Sequence, residues 1–322
     1  MADFSIATAL GLLRRTAPFV LFRVVVYGGM AAAYVLVTGT GAGIGYGVGA
    51  FWDGDTQLSA AMWGGIGGFG LTAGVLYLLR EYILYIVKAG HIAVMVELLE
   101  GNALPEGRGQ IAFARERVSE RFGQANVLFA IDQMVKGVIG AITGLLEGLM
   151  SILPIPGMGG LMSVIRAFLK VAVGLIDEIV LAYCFRVRAE DAYAASRSAL
   201  VLYAQNARPM LVNAAWVTVL SWLVTVALFL VMLAPAGVIV WMMPGGFGAG
   251  AVIFALVFAW AARAALVEPF ALACMLQAYD RLTEGQAPDP AWEAKLDSAS
   301  EQFRALGERG LAWGKRAVGA TA

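Results

Sequence analysis

The stretch VTGTGAGIGYGVGAFWDGD, residues 37–55, decides the fold class of this chain. Glycine stands at every second position from Gly39 to Gly49, and the run ends at Asp53 and Asp55. A phosphate-binding glycine loop needs a preceding strand, a following helix and a lysine or acidic partner at fixed spacing, and none of these accompanies the stretch. Backbone that faces lipid must satisfy its own hydrogen bonds, so we predict that the stretch belongs to a membrane helix.

Composition supports an integral membrane protein. Of 322 residues, 60% are hydrophobic and only 14% are charged, and the mean hydropathy of +0.75 lies outside the usual range of soluble proteins. Basic and acidic residues balance at 23 each, so no basic surplus points to nucleic acid as a partner. Cys184 and Cys274 both sit in apolar runs, and a disulfide framework is not expected.

The alternating glycines form two smooth ridges on a helix, because residues four apart share a face. One ridge is Gly39, Gly43 and Gly47, and the other is Gly41, Gly45 and Gly49. Small residues at this spacing allow the backbones of membrane helices to approach closely. We predict packing between the first two spans, and the alternative is a broken helix that lines a cavity. The predicted packing residues are Gly39, Gly43, Gly47, Gly64 and Gly68.

Four apolar runs are long enough to cross a bilayer, which takes about 20 residues. They are residues 18–50, 58–87, 210–233 and 247–276. The first run is too long for a cleaved signal sequence, so we expect it to be retained. Residues 126–153 and 158–185 are two further apolar arms that carry charges and flank a helix-breaking ILPIPGMGG apex. The sequence predicts an all-α polytopic bundle of about six spans, or four if these two arms lie at the interface.

Basic residues are distributed asymmetrically along the chain. Eighteen of the 23 fall in the N-terminus or in segments 80–124, 186–209 and 277–322. The turns 51–57, 154–160 and 234–246 contain none. The positive-inside rule places both termini in the cytoplasm, and we expect a bacterial inner membrane. The predicted segments are a cytoplasmic N-terminus (1–17), a glycine-rich hairpin (18–87), an amphipathic cytoplasmic segment (88–124), a charged hairpin (125–185), a cytoplasmic segment (186–209), a second apolar hairpin (210–276) and an amphipathic cytoplasmic tail (277–322).

The charged hairpin carries one polar stripe on each arm. At about 100° per residue, the stripe residues fall within about 60° on the first arm and about 40° on the second. Folding about Pro156 places Glu147 opposite Arg166 and Lys136 opposite Asp177. Lys170 and Asp132 are left without an obvious mate inside the hairpin, although a rotation would bring Glu178 or Arg186 near Asp132. Charges inside a membrane normally face protein or water. We predict a polar pathway of Asp132, Lys136, Glu147, Arg166, Lys170 and Asp177, and the alternatives are pairs that lock the arms together or arms that lie flat.

Other charged positions give weaker signals. Arg263 and Glu268 are about 140° apart on one helix, so each is expected to face another span, where they support the pathway. Arg23 lies near the edge of the first span and is expected to extend to the interface. His91 has no nearby cysteine or carboxylate pair, so an interfacial role is favoured over metal binding. The sequence contains no GxSxG, HExxH, paired CxxC or Walker lysine pattern, so we predict no enzyme activity, cofactor or metal site.

Two segments of the C-terminal half resemble the choline transporter-like family. AYAASRSALVLYAQNA (192–207) resembles the family's cytoplasmic stretch before a span, and EPFALACMLQAYDRLTEG (268–285) resembles its final span, with Cys274, Asp280 and Gly285 at the matching positions. That family has more spans and a large cysteine-bearing external domain, and this chain has neither. The resemblance implies transport of a small solute and carries over no binding residues.

Two functions follow from these patterns. The first is permeation of a small polar solute or ion through the charged hairpin, without a cofactor. The second is a non-transporting membrane scaffold that binds partners and forms a homo-oligomer through its glycine ridges. The lipid bilayer is a partner in both.

Overall fold

The chain is all-α in a computed structural model that describes residues 2–104, 109–122, 125–151, 174–241 and 248–319. No strand occurs in these ranges. The helices are α1 (Ile6–Arg15), α2 (Ala17–Gly49), α3 (Gly54–Leu99), α4 (Gln110–Phe122), α5 (Ala125–Ser151), α6 (Ile176–Arg186), α7 (Ala192–Gln205), α8 (Ala207–Trp241), α9 (Gly248–Ala262), a π-helical turn (Arg263–Val267), α10 (Glu268–Thr283), α11 (Pro290–Ala299) and α12 (Glu301–Gly319).

Within these ranges, four helical segments are long and apolar enough to cross a membrane. They are Ala17–Gly49, Gly54–Leu76, Ala207–Trp241 and Gly250–Thr283. They overlap the four apolar runs of the sequence, and the chain is an integral membrane protein. Neither of the two charged arms is among these four segments. The first arm forms α5, and only the end of the second arm, in α6, lies in the described ranges. That these arms cross the bilayer stays a prediction.

The chain divides into two compact units. The apolar unit comprises residues 17–87 and 220–269, and the polar unit comprises residues 1–16, 88–219 and 270–322. Three separated segments therefore build the polar unit, and its core contains large side chains that are almost fully buried, among them Ile92, Ile142, Tyr203, Tyr279 and Phe303. Of the predicted pathway residues that the structure describes, Asp132, Lys136, Glu147 and Asp177 belong to the polar unit, and Arg263 and Glu268 belong to the apolar unit.

In the apolar unit, α2 and α3 form an antiparallel hairpin that is packed backbone to backbone. The Asp53 side chain starts α3 by accepting the Thr56 N–H at 2.7 Å, and this bond lowers the pKa of Asp53. A Cβ atom added at Gly41 would collide with the Gly64 carbonyl, and one at Gly45 would collide with the Ala60 carbonyl. Only glycine permits this approach, which brings α2 and α3 closer than side chains would allow.

The contacting ridge of α2 is the one at Gly41, Gly45 and Gly49. The predicted residues Gly64 and Gly68 do lie in the contact, but a Cβ at Gly43 or Gly47 would meet nothing within 4 Å, so placing these two in the contact was wrong. The physical reason is angular: two residues along a helix rotate the direction by about 200°, so the two ridges cannot both face α3. Gly39, which belongs to the ridge of Gly43 and Gly47, is only partly exposed.

The last apolar helix contains a π-helical turn at Arg263–Val267. The Glu268 N–H bonds to the Arg263 carbonyl, five residues back, before Pro269, which has no N–H to give. An inserted turn of this kind widens the helix and shifts the faces of all later residues. It follows that Arg263 and Glu268 are not related by the 140° of a regular α-helix.

Candidate functional site

An open groove in the polar unit is lined by side chains of α7, α11 and α12 and has a volume of about 1230 Å³. We call it the Arg197 groove. Its charged lining residues are four acids and two bases, and Leu311 on its wall is 71% exposed. The residues that matter for its chemistry are Asp191, Arg197, Glu293, Asp297, Arg304 and Glu308.

Arg197 is held at the centre of the groove by ligands from both neighbouring helices. Its Nε donates to Glu293 at 2.9 Å and its Nη2 donates to Asp297 at 2.5 Å. Its Nη1 donates to the Phe303 carbonyl at 3.1 Å, and the guanidinium lies 4.2 Å from the centre of the Phe303 ring. Burial lowers the pKa of Arg197, but the carboxylates of Asp297 and Glu293 outweigh burial and raise it. Arg197 thus joins α7 to α11 and α12 as a permanent cation.

Helix caps fix the frame around this arginine. Asp191 begins α7 by accepting the N–H groups of Tyr193 and Ala194, and Asp289 begins α11 by accepting that of Ala291. Both use the geometry expected of an N-cap aspartate. Gly307 and Gly310 of α12 pack directly against the side chains of Arg197 and Asp191, where any larger residue would be crowded. Local sequence signals therefore set each helix start, and two glycines let α12 approach α7.

A second group of charges lies among α3, α5 and α6 in the polar unit. Lys88 forms an ion pair with Glu178, whose side chain is 4% exposed. Asp132 pairs with Lys136 one turn further along α5 at 2.7 Å. Burial raises the pKa of Asp132, whereas the bond and charge of Lys136 lower it, and Asp177 raises it further. The buried carboxylates of Glu178 and Asp132 thus each pair with a more exposed ammonium group, as expected for acids removed from water.

The predicted pathway residues are only partly accounted for by this group. Asp132, Lys136 and Asp177 come together near Lys88, and the expectation that Asp132 lacks a mate was wrong, because the i,i+4 spacing on one helix brings Lys136 to it. Glu147 is on α5, but its side chain lies outside the described part of the chain. Arg166 and Lys170 also lie outside the described residues, so the predicted Glu147–Arg166 pair stays a prediction.

In the apolar unit, Glu268 does face another span, as expected. Its carboxylate pairs with Arg23 of α2 at 3.2 Å, and the Arg23 side chain is only 6% exposed. The expectation that Arg23 extends to the interface was therefore wrong, because an ion pair with Glu268 and the nearby Tyr27 ring, 6.0 Å away, hold it inside the unit. Arg263 precedes this pair on the π-helical turn and is partly exposed.

His91 is buried rather than interfacial. It is 1% exposed, and its Nε2 lies 2.8 Å from the Thr16 hydroxyl. Thr16 also donates to the Leu12 carbonyl at 2.9 Å, at the junction between α1 and α2. In the described residues, no three histidine, cysteine or carboxylate side chains are grouped as a metal site would need. His91 therefore secures the N-terminal helix against α3 in the polar unit.

The Arg197 groove was not predicted from the sequence. Arg197 was considered only as one of many basic residues that set topology, although it is the single charge in the α7 sequence AYAASRSALVLYAQ. That isolation within an apolar helix was a usable signal, because a lone buried charge needs partners from elsewhere. Its partners Glu293 and Asp297 are about 100 residues away and have no sequence link to it.

No protein-family model, curated protein or solved structure matches this chain.

Proposed function

We propose that this chain is a membrane-integral scaffold whose polar unit binds a partner in the Arg197 groove. The observation that carries the proposal is the groove itself: an open concavity with an exposed leucine on its wall and an acidic surplus among its charges. Arg197 offsets one of the two negative charges of its partners Glu293 and Asp297, and Arg304 is the second base of the groove. The four acids, which include Glu308 and Asp191, therefore leave the groove with a net negative charge. The partner that fits is a basic amphipathic protein segment, whose apolar side meets Leu311 and whose cations meet Glu308.

The spans support a scaffold as well. In the apolar windows of the first three, only 11% to 17% of the residues are buried within one copy of the chain. Helices this exposed offer their surfaces to lipid or to further copies, and they enclose little interior of their own. Among the described residues, a Cβ atom added at Gly43 or Gly47 would meet no neighbouring atom within 4 Å, so this ridge is smooth and open enough to pack against a second copy.

The test replaces Leu311 with a photo-crosslinking amino acid in cells. A partner in the groove gives one adduct of defined mass, and Glu308→Arg removes it because a cation now opposes the partner's cations. Glu301→Arg is the matched control, since Glu301 is an exposed acid on the same helix outside the groove. An adduct that survives Glu308→Arg, or no adduct at all, overturns the proposed partner.

Permeation of a small solute or ion is the second candidate, and the ion pair of Arg23 with Glu268 beside the π-helical turn favours it. Interrupted helices with ionisable residues are typical of solute sites in membrane transporters. The predicted stripe of Asp132, Lys136, Glu147, Arg166, Lys170 and Asp177 belongs to this candidate, and so does the resemblance to the choline transporter-like family. The purified protein in liposomes should then pass choline or a small ion.

Two charge-neutralised variants test this candidate. Glu268→Gln should reduce the flux, as should Glu147→Gln combined with Arg166→Gln, because each removes a polar group from the path. Thr225→Val on the third span is a control without a charge change. Flux equal to that of protein-free liposomes rules out permeation of the solutes tried.

A further inference from the structure

We infer that α1 is an interfacial helix that binds the surface of an anionic lipid bilayer. The proposal does not depend on whether the protein is a scaffold or a permeation protein. It rests on three observations: the different exposure and polarity of the sides of α1, the hydrogen bonds that fix its start, and the two arginines at its C-terminal end.

Six of the ten residues of α1 define three sectors of the helix surface. Ala9 and Leu12 are 0% and 4% exposed and face the polar unit. Ile6 and Leu10 are 46% and 55% exposed, and they lie within about 40° of each other on a different side. Thr8 and Arg15 lie about 160° to 180° from Ile6, on a polar side. A helix with an apolar sector in the open and a polar sector opposite is typical of interfacial membrane helices.

Hydrogen bonds fix the start of α1 to two membrane-spanning helices. The Asp3 N–H donates to Asn213 at 2.7 Å, and the Asn213 amide donates back to the Asp3 carboxylate at 2.7 Å. The Ser5 N–H donates to Gln277 at 3.1 Å. Asn213 and Gln277 each lie six residues inside the end of a membrane-spanning segment.

These attachments set the depth of α1. Six helical residues correspond to about 9 Å, and a span of 35 residues to about 52 Å, against about 40–45 Å for a whole bilayer. Asn213 and Gln277 therefore lie close to the boundary between headgroups and acyl chains. The exposed Ile6 and Leu10 are at the level where an interfacial helix buries its apolar side.

The C-terminal end of α1 supplies charge. Arg14 and Arg15 are exposed, and among the described residues neither has an ion-pair partner. The Arg15 carbonyl accepts from Gln110 of α4 at 2.6 Å, so the backbone at this end is fixed. The chain enters its first span at Ala17, two residues on. Two guanidinium groups at that level complement anionic phosphate headgroups, and each arginine contributes about 1 kcal/mol of attraction, a factor of about 30 for the pair.

The test measures depth in the full-length protein reconstituted in vesicles. Cys184 and Cys274 are buried and are replaced by alanine, and a fluorescent label is placed at Ile6→Cys, Leu10→Cys or Thr8→Cys. We expect spin-labelled acyl chains to quench the labels at residues 6 and 10, and aqueous iodide to quench the label at residue 8. Thr8→Cys is the matched control on the same helix.

The charge test uses the label at residue 10 in vesicles with and without phosphatidylglycerol. Quenching by lipid should be stronger with the anionic lipid, and Arg14→Gln with Arg15→Gln should abolish the difference. Equal access of iodide to residues 6, 8 and 10 overturns the proposal. Protection of residues 6 and 10 from both quenchers also overturns it, because a protein surface then covers the helix. Lipid quenching that is equal with and without the anionic lipid overturns the role of the arginines.

Discussion

At the residue scale, the two kinds of charge in this protein are stabilised differently. Arg197 has two carboxylates and a carbonyl as ligands, so it stays charged and holds three helices together. Asp132 has one lysine partner, and its side chain is 4% exposed while that of Lys136 is 47% exposed. Burial raises the pKa of Asp132 despite this partner, so ionising Asp132 opposes folding.

Asp132→Asn is expected to change how stability depends on pH. A carboxyl whose pKa is raised in the folded state contributes nothing below its unfolded value of 3.8 and destabilises the fold as pH rises through the folded pKa. The wild type should therefore lose thermal stability relative to Asp132→Asn as the pH rises above the unfolded value of 3.8. Thermal unfolding in detergent measures this, and Lys136→Gln should enlarge the loss. Identical pH slopes for wild type and Asp132→Asn contradict the prediction.

At the element scale, the α2–α3 hairpin depends on the absence of side chains at a few positions of its contact. Gly45→Ala places a methyl group against the Ala60 carbonyl, whereas Gly28→Ala places it in open space on the same helix. We expect Gly45→Ala to destabilise the protein by about 1–3 kcal/mol through overpacking. Gly28→Ala should be neutral or slightly stabilising, because alanine favours helix over glycine. Thermal or denaturant unfolding distinguishes them, and equal effects contradict the packing described.

At the scale of the whole molecule, the polar unit is assembled from three segments far apart in sequence. Phe303 of α12 is fully buried and lies under the Arg197 guanidinium. Phe303→Ala should cost about 3–5 kcal/mol, and because the unit shares one core, hydrogen exchange should rise in α5 and α7 as well as in α12. Leu311→Ala, on the exposed side of α12, is the control. Faster exchange confined to α12 would show that the segments fold separately.

Local patterns in the sequence determined the fold class and the four apolar spans, because hydrophobicity and length are properties of contiguous residues. They also indicated that the α2–α3 hairpin packs through glycine. They did not choose between two ridges related by about 200°, since that choice depends on which side of α2 meets α3.

Only the tertiary structure decided which charges meet. Arg197 forms ion pairs with Glu293 and Asp297, which are about 100 residues away in sequence, and Arg23 forms one with Glu268, 245 residues away. Side-chain spacing along one helix cannot contain such information, and the π-helical turn before Glu268 further changes the angle that regular spacing implies. The mean hydropathy of a segment is a sum over contiguous residues, so the sequence specifies it, whereas ion pairing depends on distances between atoms that are set only by folding.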